Sequence, residues 1–294
     1  KYLKMNKKPF YFSIDLEDFH YDVMRSMGSK NIKIKKNDLL KSYSIVKKIS
    51  EKYFHSKKIT FFVTGVLARK FPFLIKKIFE DGNEIACHYN YHERISESNK
   101  QDLIKNLNEA IYSIESIIGE KPVGFRAPFF GIEEENIWAY EEIAKRFKYD
   151  SSFRTSKPLK FFGNNHSFKA NNQKIEEYYV YCRKILSGLK MRSGGTYFRL
   201  FPIKSTLKTM IDAYENGHIP LLYLHPYDLT QEHNFFVNWN EMGQENFFKK
   251  MIFWIRQFQW SHMGHKSIEE KIKIISNHFE HQGPMRDILK NEKY

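Results

Sequence analysis

Acidic, imidazole and guanidinium side chains gather in four short runs, each placed where an apolar stretch ends: SIDLEDF (13–19), HYNYH (88–92), GFRAPFF (124–130) and LLYLHPYDL (221–229). In the first, the period-two alternation of a strand puts Asp15 and Glu17 on one face, with Asp18 on the turn beyond. Carboxylates crowded at a strand end repel one another unless a cation or a shared proton relieves them. A solvated acidic turn or a helix N-cap is the plainer account of the same residues. In the second run, His88 and His92 share a face if the segment turns helically, and imidazole nitrogen is a favoured zinc ligand. A carboxylate from Glu17 or Asp18 would complete a two-histidine, one-carboxylate set with a position open for water, the mark of a catalytic rather than a closed structural site. Two surface histidines would give the same spacing with no chemistry. Arg126 leaves an apolar run just before Pro128, where it can hold a carboxylate through a forked contact, catalytic or merely structural. His225 follows an apolar run and precedes Pro226. Alone it is an ordinary strand-end histidine, but beside a metal site it becomes a natural general acid.

Strands must deliver these clusters. The apolar runs PFYFSI (9–14), KITFFVTG (58–65), EIAC (84–87), PVGFRAP (122–128) and IPLLYL (219–224) read as buried strands. Between them, Phe71, Leu74, Ile75, Ile78 and Phe79 follow helical spacing, with Pro72 near the start and Gly82 past the end. Leu103, Leu107, Ile111, Ile114 and Ile118 form a second stripe that stops at Gly119, and a third helix is expected over 133–147. Strands alternating with helices mean parallel βαβ units, hence an α/β fold. The four clusters then fall at the C-terminal ends of strands, where the loops of a (β/α) barrel converge on one mouth. A doubly wound open sheet is the architectural alternative. The pattern is weak over 155–195, with short strand candidates such as EEYYVY (176–181), and the tail from 241 to 278 reads as helical. No linker or repeat interrupts the chain, so 1–294 is taken as one domain, a motif core over 9–230 with a helical extension over 231–294.

Taken in order, the clusters resemble the motifs of the NodB-homology polysaccharide deacetylases, together with TFFVTG (60–65) and GNEIACH (82–88). Within that family SIDLEDF, RAPFFGI, YDSS (149–152), GGTYFRLFP (194–202) and LHPYDL are most similar to the bacterial branch associated with surface-polysaccharide biosynthesis. The resemblance covers residues 9–230 and implies a distorted (β/α) barrel and a metal-dependent hydrolase that removes an N-acetyl group from an amino sugar. It implies Asp15 as general base, His88 and His92 as metal ligands, His225 as general acid and Arg126 as the residue that orients Asp15. Asp150 is a looser match to the acid that supports the catalytic histidine. This chain has Asp-Leu-Glu-Asp where many relatives have adjacent aspartates, which leaves the third ligand between Glu17 and Asp18; Glu17, on the face of Asp15, is preferred. It also has Tyr89 where many relatives carry Ser or Thr. The implied cofactor is a divalent metal, zinc for preference, and the implied partner an N-acetylated glycan or a phosphate-bearing sugar precursor. A hydrolase of formamides or ureides, and a non-catalytic carbohydrate-binding relative, are the competing readings. Tyr197, Phe198 and Arg199 follow Gly194 and Gly195, and are expected either to shape a sugar pocket or to form a core strand.

Composition narrows the setting. At 41% hydrophobic and 16% aromatic residues, the chain can bury a core and is not a disordered segment. The formal charge of +14 is spread through every segment, and no interleaved basic and aromatic module suggests nucleic acid. Attraction to acidic glycans or peripheral contact with a membrane surface suits the charge better. No apolar run approaches the roughly 18 residues of a transmembrane helix. Cys87 and Cys182 are too few for a disulfide framework and are expected as thiols. If Lys1 and its neighbours are the natural N-terminus, no secretion signal precedes the domain and a cytoplasmic location is expected.

Overall fold

Strand β1 (Lys8–Leu16) is buried from Phe10 to its end, so both of its faces are covered. A near-continuous apolar run is what such a strand requires, as in parallel sheets packed by helices. The computed structural model describes residues 7–29, 31–132, 136–155, 167–170, 173–186, 189–230, 235–242 and 246–290. After β1 come α1 (Phe19–Ser26), α2 (Lys36–Tyr53), β2 (Thr60–Val63), α3 (Gly65–Lys70), α4 (Pro72–Glu80), β3 (Glu84–Cys87), α5 (Lys100–Ile118), β4 (Gly124–Phe125), α6 (Ile137–Ala144) and β5 (Tyr149–Asp150). The second half holds β6 (Arg154–Thr155), β7 (Ser167–Ala170), β8 (Gln173–Glu177), β9 (Val180–Tyr181), β10 (Arg183–Leu186), β11 (Leu189–Met191), α7 (Gly195–Leu200) and α8 (Ile203–Glu215). It closes with β12 (Leu221–Leu224), α9 (Pro226–Leu229), α10 (Phe247–His262), α11 (Ile268–His278) and β13 (Phe279–His281).

The main sheet runs β12-β1-β2-β3-β4-β5-β8-β7, with β13 paired to the start of β1. It is parallel except for the β7–β8 hairpin. From β1 to β5 the order advances one strand at a time without reversal, and β12 comes back beside β1. A doubly wound sheet would reverse direction at a switch point. This is a curled half-barrel of the (β/α) type, a single domain with helices packed on its outer face.

Register sets the rim of the barrel. Leu16 lies opposite Val63, Val63 opposite Cys87, Cys87 opposite Phe125 and Phe125 opposite Asp150. Ile14 lies opposite Leu224. The next residue along each strand therefore enters one mouth: Glu17, His88, Arg126 and Ser151, with His225 level with Asp15.

The expected helix stripe at 103–118 is α5, capped by Asn99, whose side chain accepts from Asp102 N at 2.9 Å, and ended by Gly119 at φ 77°. Several expectations are corrected. The third helix is described from Ile137 and ends at Ala144, short of the expected 147, while its expected start at 133–135 lies outside the described residues. EEYYVY is split between β8 and β9, which belong to different sheets. The helical tail is two helices broken at Gly264, φ 83°, and it returns as β13 to pair with Lys8–Phe10, so its end belongs to the sheet. Helix α2 was not foreseen. Its buried stripe, Leu39, Tyr43, Val46 and Ile49, is diluted by lysine, serine and asparagine, which blur the periodicity.

Candidate active site

Glu17, one residue beyond β1, brings its carboxylate between two imidazoles. Its Oε2 lies 2.7 Å from His92 Nε2 and 3.9 Å from His88 Nε2. One ligand atom from each of the three residues falls within 4.8 Å of the others, and Oε2 is buried without a directed hydrogen bond. His88 Nδ1 lies 2.7 Å from the Arg126 carbonyl, to which it donates as Nδ1–H, leaving the Nε2 lone pair turned toward Glu17. Burial holds the His88 pKa down at about 4, so the ring is neutral. Burial alone would raise Glu17, but the adjacent His92, with His225 and His88, brings its carboxyl down to about 2. For His88 and Glu17 these are the protonation states that ligation needs; burial would lower the His92 pKa, but Glu17 beside it raises it, so a bound cation would displace a proton from that ring. Two imidazoles and one carboxylate, all turned to one point with a buried oxygen lacking a hydrogen bond, fit a divalent cation of the zinc type.

The two histidines do not meet through a helical turn. No helix spans 88–92; instead Tyr89 takes a left-handed conformation at φ 66°, its ring enters the main core, and its carbonyl accepts from Gly65 N at 2.9 Å. The residue noted as a departure from Ser or Thr is thus an anchor for the ligand loop. Asp18 stays out of the cluster. It caps α1, accepting from Tyr21 N at 3.0 Å and from Lys35 N at 2.5 Å, and burial pushes its carboxyl up to about 6. Of the two carboxylates left open by the sequence, Glu17 is the one that lies with His88 and His92.

Asp15 sits beside this group without joining it. Arg126, fully buried, donates from Nη1 to Asp15 Oδ1 at 2.5 Å and to Ser13 Oγ at 2.9 Å. It is steadied from the other side by Nη2 to Ser151 Oγ at 3.0 Å and Nε to the Ser151 carbonyl at 3.3 Å. The second Asp15 oxygen, Oδ2, is 3.9 Å from His225 Nε2. His225 in turn places Nδ1 2.8 Å from Asp228 Oδ2, and Asp228 Oδ1 lies 2.7 Å from Arg199 Nε. Burial would lower the His225 pKa. Asp228, supported by Glu17 and Asp15, outweighs that and raises it to about 9.

Asp150 does not support His225. Its carboxylate accepts from Ser152 Oγ at 2.6 Å and Ser152 N at 3.1 Å, fixing the turn after β5, and the acid against His225 is Asp228. Asp228 follows His225 by three residues and accepts from its backbone N at 2.9 Å, a reciprocal cap of the short α9. That spacing was the available signal. Arg199 has no local signal, because it meets Asp228 only through the fold. The segment expected as pocket loop or core strand is helix α7, with Phe198 and Arg199 buried. Gly194 lets it pass: a Cβ there would come within 2.3 Å of the Tyr223 ring, and Gly195 turns at φ 51° beneath His225.

Aromatic and cationic groups rim the mouth. Phe129, 43% exposed, stands 4.3 Å from the His92 ring, with the Arg94 guanidinium 4.9 Å from its centroid. Phe129 and Phe130 are both left-handed, at φ 57° and 53°. Non-glycine residues in that region cost of order 1–3 kcal/mol each and collect at functional sites. Arg154 lies over Phe130 at 5.6 Å and Arg192 over Tyr197 at 4.6 Å. Burial, then the charge of Arg192, lowers the Arg154 pKa, as expected of cations held near one another.

Residues 46–147 match the family described as polysaccharide deacetylase, and residues 159–266 match one described only as a domain of unknown function, DUF3473. Over residues 46–147, about a third of its length, the chain is thus similar to the polysaccharide deacetylases. Among curated proteins it is 36% identical over 105 residues to a peptidoglycan deacetylase-like protein of Gibberella zeae, covering 36% of this chain and 30% of that one. It is 29% identical over 89 residues to a peptidoglycan-N-acetylglucosamine deacetylase of Bacillus cereus, covering 30% of this chain and 32% of the relative. The matched stretches thus span about a third or less of these curated relatives. A Mycobacterium smegmatis structure assigned to the polysaccharide deacetylases superposes with a TM-score of 0.51 at 18% identity over 93% of both chains, which shows the shared fold. Among the described residues, no helix is long and apolar enough to cross a membrane. Cys87 and Cys182 are both buried and unpaired.

Proposed function

We propose that the domain is a metal-dependent N-deacetylase acting on an amino sugar in a glycan or glycan precursor. One observation carries this reading: Asp15 is fixed by Arg126 outside the Glu17–His88–His92 group yet faces His225 across the same mouth at 3.9 Å. A base and an acid are thereby available beside a carbonyl brought to the three ligands. Glu17, His88 and His92 would hold the cation, which when bound supplies Lewis acidity toward the acetamide oxygen and acidifies a water. Asp15 Oδ2, not engaged by Arg126, accepts the proton of the attacking water. His225, held protonated by Asp228, delivers a proton from Nε2 to the departing amine, which cannot leave as an anion. Products are acetate and a free amino sugar.

The substrate is proposed to be a phosphate-bearing precursor of a surface polysaccharide, met on the cytoplasmic side of the membrane. Arg154 and Arg192 at the mouth support this, because guanidinium groups suit phosphate oxygens. The test is acetate release by the purified protein, zinc-loaded and chelator-treated, from a panel of N-acetylated glycans and nucleotide sugars. Acetate formed only by the metal-loaded protein is expected. Formate or ammonia from formamides or ureides, with no acetate, would favour the competing hydrolase. Glycan binding with no product from any substrate would mark a non-catalytic relative.

A further inference from the structure

Helix α10 (Phe247–His262) turns its apolar side outward. Phe247, Phe248, Met251, Ile252, Ile255 and Phe258 are 62%, 67%, 37%, 54%, 52% and 50% exposed. Their spacing of one, three and four residues places them on one face. The opposite face is already occupied: Phe253 stacks on Phe19 at 6.0 Å, and Gln257 is fully buried, donating to the Val237 carbonyl at 2.6 Å and accepting from Val237 N at 3.0 Å. An ordinary surface helix would show polar residues on the side that α10 leaves to water.

We infer that α10 docks this protein on the surface of an anionic lipid bilayer, lying in the plane of the headgroups with Phe248, Ile252 and Ile255 in the acyl boundary. Charge selects this occupant. From residue 246 to 267 the sequence holds Lys249, Lys250, Arg256 and Lys266 and not one Asp or Glu. An apolar face on a stretch whose only charged residues are basic is the composition of interfacial helices, whose binding adds buried apolar area to attraction for anionic lipid. A second copy of the chain fits poorly. A two-fold contact would bring two copies of a basic, acid-free helix together with no opposite charge between them. A helix of this length is ~24 Å long and ~10 Å across, a few hundred Å² per copy. A stable dimer buries about 800 Å² per partner.

Position gives the docking a use. Phe253 stacks on Phe19, Phe19 packs on Tyr227 at 5.3 Å, and Tyr227 stacks on His225 at 4.8 Å. Three ring contacts connect the inner side of α10 to the proposed general acid, so docking would hold the mouth close to the headgroups. That consequence rests on the deacetylase reading; the docking does not, because vesicle binding requires no turnover.

The test is flotation of the full chain with phosphatidylglycerol–phosphatidylcholine vesicles and with phosphatidylcholine alone. Binding to the anionic vesicles is expected, at least about tenfold tighter than to neutral ones and weakened by salt. I252E/I255E should lose it by tenfold or more while keeping the thermal unfolding profile. K250E/R256E, which leaves the apolar face intact, should weaken it several-fold and serves if the first variant unfolds. Binding unchanged in both variants, equal binding to neutral vesicles, or no binding at all would overturn the inference. A dimer in the vesicle-free protein that I252E/I255E converts to monomer would reassign the face to self-association.

Discussion

Arg126 and Asp15 meet at 2.5 Å with the guanidinium fully buried and the carboxylate almost so, and among the described residues Arg126 has no other ion-pair partner. Removing one side of such a pair leaves an uncompensated buried charge and costs about 3–5 kcal/mol. Arg126→Ala is therefore expected to lower stability by roughly that amount as well as abolish turnover. Asp15→Asn keeps the shape and removes the base. It should retain the metal, lose stability because Arg126 keeps a buried charge without its partner, and lose at least about 100-fold in kcat. Denaturant unfolding, metal analysis and kcat on the same preparations check this, and near-normal turnover in D15N would remove Asp15 from the mechanism.

The site was more legible than its supports. Asp15, Glu17, His88, Arg126 and His225 could be named because each follows an apolar run, and parallel strands in register bring such positions to one rim. The contacts behind them were not legible. Arg199 reaches Asp228 across 29 residues of chain, and Ser13 within β1 and Ser151 just past β5 meet on Arg126. Periodicity also could not tell that 88–92 turns through a left-handed Tyr89, since an aromatic residue gives no hint of positive φ. The return of β13 to β1 escaped for a related reason: three residues, Phe279–His281, are too few to show alternation.

Glu17 and Asp18, adjacent in sequence, should separate cleanly in a metal assay. Glu17→Gln, and His88→Ala combined with His92→Ala, are expected to lose the bound cation, because each removes part of the three-residue group. Asp18→Ala should keep it and instead lose about 1 kcal/mol of stability, the usual worth of an N-cap. Stoichiometric metal analysis after gel filtration decides the matter. Full occupancy in the double histidine variant, or loss in D18A with the fold intact, would reverse the assignment.

His225 owes its protonation to Asp228. Burial favours the neutral ring, and the hydrogen bond and charge of Asp228 overcome this, taking the pKa to about 9. A cation on the three ligands would pull that value down by repulsion without changing the sign of the Asp228 contribution. For a general acid, activity is lost as pH rises through its pKa, so the alkaline limb of kcat should report His225. Asp228→Asn removes the charge that raises the pKa. The limb should move to lower pH by about one unit or more, with kcat near neutrality reduced and the bound metal retained. A limb that stays in place would show that the alkaline limb reports another group.

Arg154 and Arg192 allow the proposed substrate class to be tested apart from the chemistry. Each lies against an aromatic ring at the mouth, Phe130 and Tyr197, and among the described residues no carboxylate forms an ion pair with Arg154. A phosphate on the substrate would supply the missing counter-charge. Arg154→Gln with Arg192→Gln is expected to raise KM for phosphate-bearing amino-sugar precursors about tenfold at low salt, with kcat little changed, because the lost contact is made equally in ground and transition states. Neutral chitin oligomers should be affected far less. In the unmodified protein, the preference for phosphate-bearing substrates should shrink as added salt screens the charges, since the Debye length falls from about 10 Å at 0.1 M to about 3 Å at 1 M. Salt-independent activity on chitin oligomers or peptidoglycan that equals or exceeds activity on the precursors would end the precursor proposal. The roles of Asp15, His225 and the Glu17–His88–His92 group would be untouched by that result.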